Sequence, residues 1–99
     1  MSEQKTQKKI LDWLTKHGFY TVKTIVSNKK GVPDILACSP QGRFVAIEVK
    51  YGANKASKLQ EYNIQQIKER GGFAIVCWDL ETLVCQLHKE GIIQWDNSI

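Results

Sequence analysis

Asp34, Glu48 and Lys50 are the residues of this chain whose types and spacing suit a reaction. Asp34 closes the string Gly31-Val32-Pro33-Asp34, and Glu48 follows it by fourteen positions in the apolar run Ile47-Glu48-Val49-Lys50. Side chains alternate along a strand, so Phe44, Ala46, Glu48 and Lys50 share one face and Val45, Ile47 and Val49 the other. A charged pair at the end of an apolar strand is costly unless exposure or a cation compensates it. A hard cation such as Mg²⁺ keeps several waters and takes one or two protein carboxylates. Asp34 and Glu48, on neighbouring strands, meet that demand, with the Val49 carbonyl as a third oxygen. The cation would acidify a bound water and offset charge on a phosphate, while the mobile ammonium of Lys50 orients the water or steadies the transition state. The chemistry this implies is hydrolysis of a phosphodiester. Pro-Asp alone is a common turn and Glu-x-Lys alone a common surface ion pair; the ordered set is far more specific.

These residues need elements to hold them. Residues 2–17 read as a helix, with Ile10, Leu11 and Leu14 at helical spacing, Ser2 as its cap and Gly18 as its stop. Phe19 to Ser27 is β-branched and aromatic and reads as a strand, followed by the polar turn Asn28-Lys29-Lys30-Gly31. Ile35 to Cys38 is a short strand with Pro33 at its mouth, and Arg43 to Tyr51 is the strand that carries Glu48 and Lys50. Ser57 to Arg70 reads as a second helix closed by Gly71-Gly72, and Phe73 to Trp78 as a buried strand. Asp79 caps a third helix whose inward face is Leu80, Leu83, Val84 and Leu87. The tail from Gly91 is either a last strand or a partner-binding arm. The order α-β-β-β-α-β-α implies an α/β fold, a mixed sheet flanked by helices, with the second helix crossing over between parallel strands.

Ninety-nine residues suit one domain spanning 1–99, and a chain this short gains from pairing with a second copy. Residues 1–70 hold thirteen Lys and Arg against six Asp and Glu, whereas residues 71–99 hold one against four. The basic part surrounds the proposed site, as expected if a polyanion must approach two carboxylates, although a solvated lysine-rich face has the same composition. Cys38, Cys77 and Cys85 form no C-x-x-C pair, and Cys38 and Cys77 sit in apolar runs where cysteine behaves as a small hydrophobe. His17 and His88 lack metal-ligand spacing, which argues against zinc. With a charged amino terminus and no run long enough to span a bilayer, the chain reads as cytoplasmic, with neither membrane nor organic cofactor as partner.

The arrangement resembles the PD-(D/E)xK nuclease superfamily, with its restriction-endonuclease-like core, and within it the virus-type replication-repair nuclease (VRR-NUC) domains. Holliday-junction resolvases are more distant. The resemblance runs from about Glu3 to Val76. It implies that Asp34 is the aspartate of the family's Pro-Asp step, that Glu48 and Lys50 are its Glu-x-Lys, and that Val49 lends its carbonyl to the metal. It also implies a glutamate in the first helix, in a pattern that here reads Glu3, Gln7, Ile10 and Leu14. Glu3 is alternatively a simple helix-terminal charge. A family glutamine at the start of the second helix matches Gln60, and the capping box Ser57-Lys58-Leu59-Gln60 explains the same residue without chemistry. Lys29, Lys30, Lys55 and Lys58 are candidates for phosphate contacts. The implied function is a Mg²⁺- or Mn²⁺-dependent DNA endonuclease, structure-selective for branched or flapped DNA. It would act as a homodimer in phage or prophage replication and repair, in a bacterial or phage-infected cytosol. A non-catalytic nucleic-acid-binding module with the same fold is the alternative.

Overall fold

The computed structural model describes residues 2–94. Its elements are α1 (Glu3–Lys16), β1 (Tyr20–Lys23), β2 (Ile35–Cys38), β3 (Phe44–Val49), α2 (Lys58–Glu69), β4 (Phe73–Cys77) and α3 (Leu80–Lys89). The strands lie in the order β1-β2-β3-β4, antiparallel except for the parallel pair β3–β4, which α2 connects. This is the mixed sheet flanked by helices that the hydrophobic pattern implies. Among the described residues no helix is long and apolar enough to cross a membrane.

Strand alternation divides the sheet into two unlike faces. Ile35, Ala37, Val45, Ile47, Val49, Phe73 and Cys77 pack with Ile10 and Leu14 of α1 and with Leu83 and Leu87 of α3 into the larger core. On the other face Ala46, Ala74 and Ile64 form a smaller cluster, flanked by Leu36, Ile67 and Val76. Small residues on β3 and β4 let α2 lie close to this face.

Each helix begins at a capping side chain that accepts an otherwise orphaned backbone N–H. Ser2 accepts from Lys5, Ser57 from Gln60, and Asp79 from Thr82 at 2.7 Å. That last bond holds the Asp79 carboxyl below the usual aspartate range. The Ser2 cap fixes the first turn of α1, and with it Glu3.

Several boundaries differ from the sequence expectation. β1 ends at Lys23 rather than Ser27, because β2 offers only the four partners Ile35 to Cys38. After the bond from Thr24 N–H to the Asp34 carbonyl, Ile25 and Val26 project into solvent. β3 is shorter at both ends, so that Lys50 follows the strand rather than lying in it, and β4 stops one residue early, leaving Trp78 exposed rather than part of a buried strand. Cys77 is buried as expected, but Cys38 is exposed, because nothing described covers its end of the sheet. Gly91–Gln94 forms no strand, and the rest of the proposed last strand or partner-binding arm lies outside the described residues.

Candidate active site

The Pro-Asp step is built by its neighbours on both sides. Thr24 donates from Oγ1 to the carbonyls of Pro33 (2.8 Å) and Asp34 (3.1 Å), tying the end of β1 to this segment. Asn63 of α2 donates from Nδ2 to the Lys30 carbonyl at 3.1 Å, fastening the preceding loop. Gly31 has φ +76°, and a Cβ there would stand 2.8 Å from Leu59 Cγ and 3.1 Å from Asn63 Nδ2. Both the left-handed backbone and the close approach demand glycine, which explains the first letter of Gly-x-Pro-Asp.

One step beyond the Ile35–Ile47 rung, Asp34 falls opposite Glu48. The Val49 N–H donates to Asp34 Oδ2 at 2.9 Å, so β3 itself orients the aspartate. α1 lies on the opposite layer, and Glu3 meets the other two carboxylates at the end of the sheet where β2 begins and β3 ends. Oxygens of Glu3, Asp34 and Glu48 all lie within 4.8 Å of one another.

Glu48 is the most constrained of the three, with 1% of its surface exposed. Its Oε2 accepts from Gln60 Nε2 at 3.2 Å and faces Lys50 Nζ at 3.4 Å. Its Oε1 is buried and has no hydrogen-bond partner among the described residues. Burial, reinforced by the negative charge of Asp34 and only partly offset by Lys50, raises the Glu48 carboxyl from 4.5 to about 7. A proton therefore holds, near neutral pH, a place that a divalent cation is suited to take. An orphaned buried oxygen beside two further carboxylates fits a hard, oxygen-seeking ion such as Mg²⁺ or Mn²⁺.

Gln60 makes a contact on each side, one within the capping box and one with the carboxylate cluster. Its Oε1 accepts the Ser57 N–H at 2.9 Å, completing the capping box, while its Nε2 holds Glu48. The start of α2 is thereby locked to the carboxylate cluster. Lys29 lines a cleft of about 460 Å³ together with Thr24, Gly31 and Asp34. Lys30, Lys55 and Lys58 are exposed, and Lys30 meets the fold through its carbonyl.

Three contributors are not among the groups that the sequence analysis singles out for the site. Thr24 and the Val49 N–H act through the backbone and register, which composition does not reveal. Asn63 left a readable trace: a polar residue three positions after Gln60, on the same side of the helix as Ile64 and Ile67. Gln7, one turn after Glu3, is also buried with its Oε1 unpartnered.

Residues 3–78 match the family model of the VRR-NUC domain. The chain belongs to the VRR-NUC domain family. The match begins at Glu3 and ends just beyond β4, so it contains every residue of the carboxylate cluster. Two solved structures share the fold. One, a VRR_NUC domain, is 24% identical over 88% of this chain and 94% of its own, with a TM-score of 0.74. The other, a VRR_NUC domain protein, is 18% identical over 97% of this chain and 93% of its own, also with a TM-score of 0.74. Comparison with curated proteins gives no match. VRR-NUC domains are nuclease-type domains, and that assignment carries a DNA-related function for this chain.

Proposed function

We propose that this VRR-NUC domain is a Mg²⁺- or Mn²⁺-dependent DNA endonuclease, structure-selective for branched or flapped DNA. It would act as a cytoplasmic homodimer in phage or prophage replication and repair. The observation that carries the reading is the buried, unpartnered Oε1 of Glu48, set among the carboxylates of Asp34 and Glu3 and beside Lys50. A structural ion pair would leave no oxygen orphaned.

In this reading Asp34, Glu48, the Val49 carbonyl and Glu3 hold the cation, which when bound neutralises phosphate charge and acidifies a water. Gln60 fixes one Glu48 oxygen and leaves the other free to bind. The Val49 N–H does the same for Asp34. Lys50 sits at the edge of the cluster with its ammonium 3.4 Å from Glu48, where it can hold the attacking water and oppose charge on the phosphate. Lys29, Lys30, Lys55 and Lys58 contact flanking phosphates, which gives affinity without sequence preference.

Nicking of supercoiled plasmid in Mg²⁺ or Mn²⁺, abolished by EDTA, tests the reading. Lys50→Ala should lower the rate by about 10²–10³-fold or more while the fold survives, since Lys50 lies outside the apolar core. A Lys50→Ala protein as active as wild type, or a wild type that binds DNA without cutting it, would instead support the non-catalytic module.

A further inference from the structure

Beyond the carboxyl ends of the parallel pair β3–β4 lies a cavity of about 290 Å³, none of whose lining residues belongs to the carboxylate cluster. Its walls include Tyr51 and Trp78, Thr6 and Lys9 of α1, and Asp79 and Glu81 at the start of α3. Ligands of α/β sheets commonly sit outside the carboxyl ends of the strands. The volume is close to the lower bound of small-molecule pockets, about 300 Å³. The Lys50 N–H donates to the Cys77 carbonyl at 2.9 Å, joining the residue before Tyr51 to the residue before Trp78. The cavity therefore adjoins the site through Lys50. Its indole is fixed, while both aromatic rings remain open to water. Trp78 Nε1–H donates to the Asn54 carbonyl at 3.0 Å, and the Asn54 N–H to the Tyr51 carbonyl at 3.1 Å, so the turn after Lys50 clasps the indole. That bond occupies the only polar group of the indole and leaves an apolar plane. Tyr51 is 44% exposed and Trp78 42%. Trp13 stacks on His17, whereas neither Tyr51 nor Trp78 has an aromatic partner among the described residues.

We propose that this cavity is a stacking subsite for one unpaired base of a DNA strand that runs past the carboxylate cluster, with Tyr51 and Trp78 as its aromatic surfaces. The proposal rests on the nuclease reading above and specifies its substrate as DNA with a single-stranded segment beside the reacting phosphate. A paired base has both faces covered by its neighbours in the duplex. An unpaired base offers a free face, and stacking on an aromatic ring tolerates any base. Phosphate is a poor occupant of the same space. The Asp79 carboxylate already accepts the Thr82 N–H at 2.7 Å where α3 begins, and Glu81 adds a second negative charge. Lys9, exposed on α1, offers its ammonium to the phosphate next to the stacked base. Because Tyr51 directly follows Lys50, the stacked nucleotide lies close to the phosphate that Lys50 serves.

Binding to the full chain without metal, read by tryptophan fluorescence and by anisotropy of labelled DNA, tests the subsite with a single strand of about 12 nucleotides and a blunt duplex. The single strand should quench wild type. Trp78→Phe keeps a ring in place, so it should bind within about threefold of wild type yet lose most of the quenching. Tyr51→Ala should weaken single-strand binding by about 5–100-fold, Tyr51→Phe should restore it, and blunt-duplex binding should change by less than about twofold in each. Tyr20→Ala, at the opposite end of the sheet, should match wild type on both DNAs. All variants should keep the wild-type circular dichroism. An unquenched wild type, quenching that survives in Trp78→Phe, undiminished single-strand binding by Tyr51→Ala, or equal losses on strand and duplex overturns the proposal. A chain that stacks the strand in this way but never nicks DNA in Mg²⁺ overturns only the nuclease reading; one that nicks DNA while its binding ignores Tyr51 and Trp78 overturns only the subsite.

Discussion

The two faces of β3 are made from adjacent residues and behave as different materials. Val45, Ile47 and Val49 are completely buried against α1 and α3, where close packing is the only requirement. Ala46 and Glu48, on the other side, sit beneath a helix that covers half the sheet and delivers Gln60 to a carboxylate. The first face supplies stability. The second gives up apolar area for a polar cluster that, left without a cation, keeps a proton on Glu48 and an orphaned oxygen. The strand thus separates the apolar core from the carboxylate cluster by its two-residue period.

That separation can be broken from either side. Ile47→Ala should have the largest effect on stability, about 2–5 kcal/mol by denaturant unfolding, because it opens a cavity in the larger core. The metal affinity of whatever protein remains folded should be little changed.

The second face should show itself through pH. The Glu48 carboxyl is raised to about 7 in the folded protein from 4.5, so the native state binds the proton more tightly than the unfolded chain. Its contribution is complete below about pH 4.5 and is lost as pH rises through about 7. Metal-free protein should therefore lose up to roughly 3 kcal/mol across that interval. Urea titrations at several pH values check this: Glu48→Gln should flatten the profile, and Mg²⁺ should restore stability on the alkaline side, where it no longer competes with a proton.

Gln60→Ala should give the smallest change in stability, below about 1 kcal/mol, because the capping box loses its Gln60 half while the Ser57 cap remains. It should also weaken metal binding by about 10–100-fold, because Glu48 loses the amide that orients it. Gln60→Glu keeps the cap acceptor but places a fourth carboxylate beside Glu48. Recovery of stability without recovery of affinity in calorimetry separates the two functions of this one side chain.

The physical range of each interaction explains what could be read in the chain. The apolar periods of α1 and β3 and the three helix caps are local, and the structure agrees with them closely. Gly31-Val32-Pro33-Asp34 was legible because the turn and the close approach to Leu59 allow so few residue types. The end of β1 was not legible, since it depends on the length of β2 rather than on Thr24 or Ile25. The exposure of Cys38 was hidden for a similar reason: an apolar run does not say which part of its face a helix reaches. The meeting of Glu3 with Asp34 and Glu48 depends on long-range packing. Family resemblance suggested it; helical spacing puts Glu3 on the face of Gln7, Ile10 and Leu14, so that it can point toward the sheet, but does not name the carboxylates it meets.

Calorimetric titration of Mn²⁺ into the metal-free protein, beside Asp34→Asn, tests the central claim most directly. The account predicts saturable binding to wild type that strengthens as pH rises through about 7 and releases a proton, and at least about tenfold weaker binding to Asp34→Asn. Equal binding by the two proteins, or binding to wild type that does not respond to pH, would contradict a cation site built on Asp34 and Glu48.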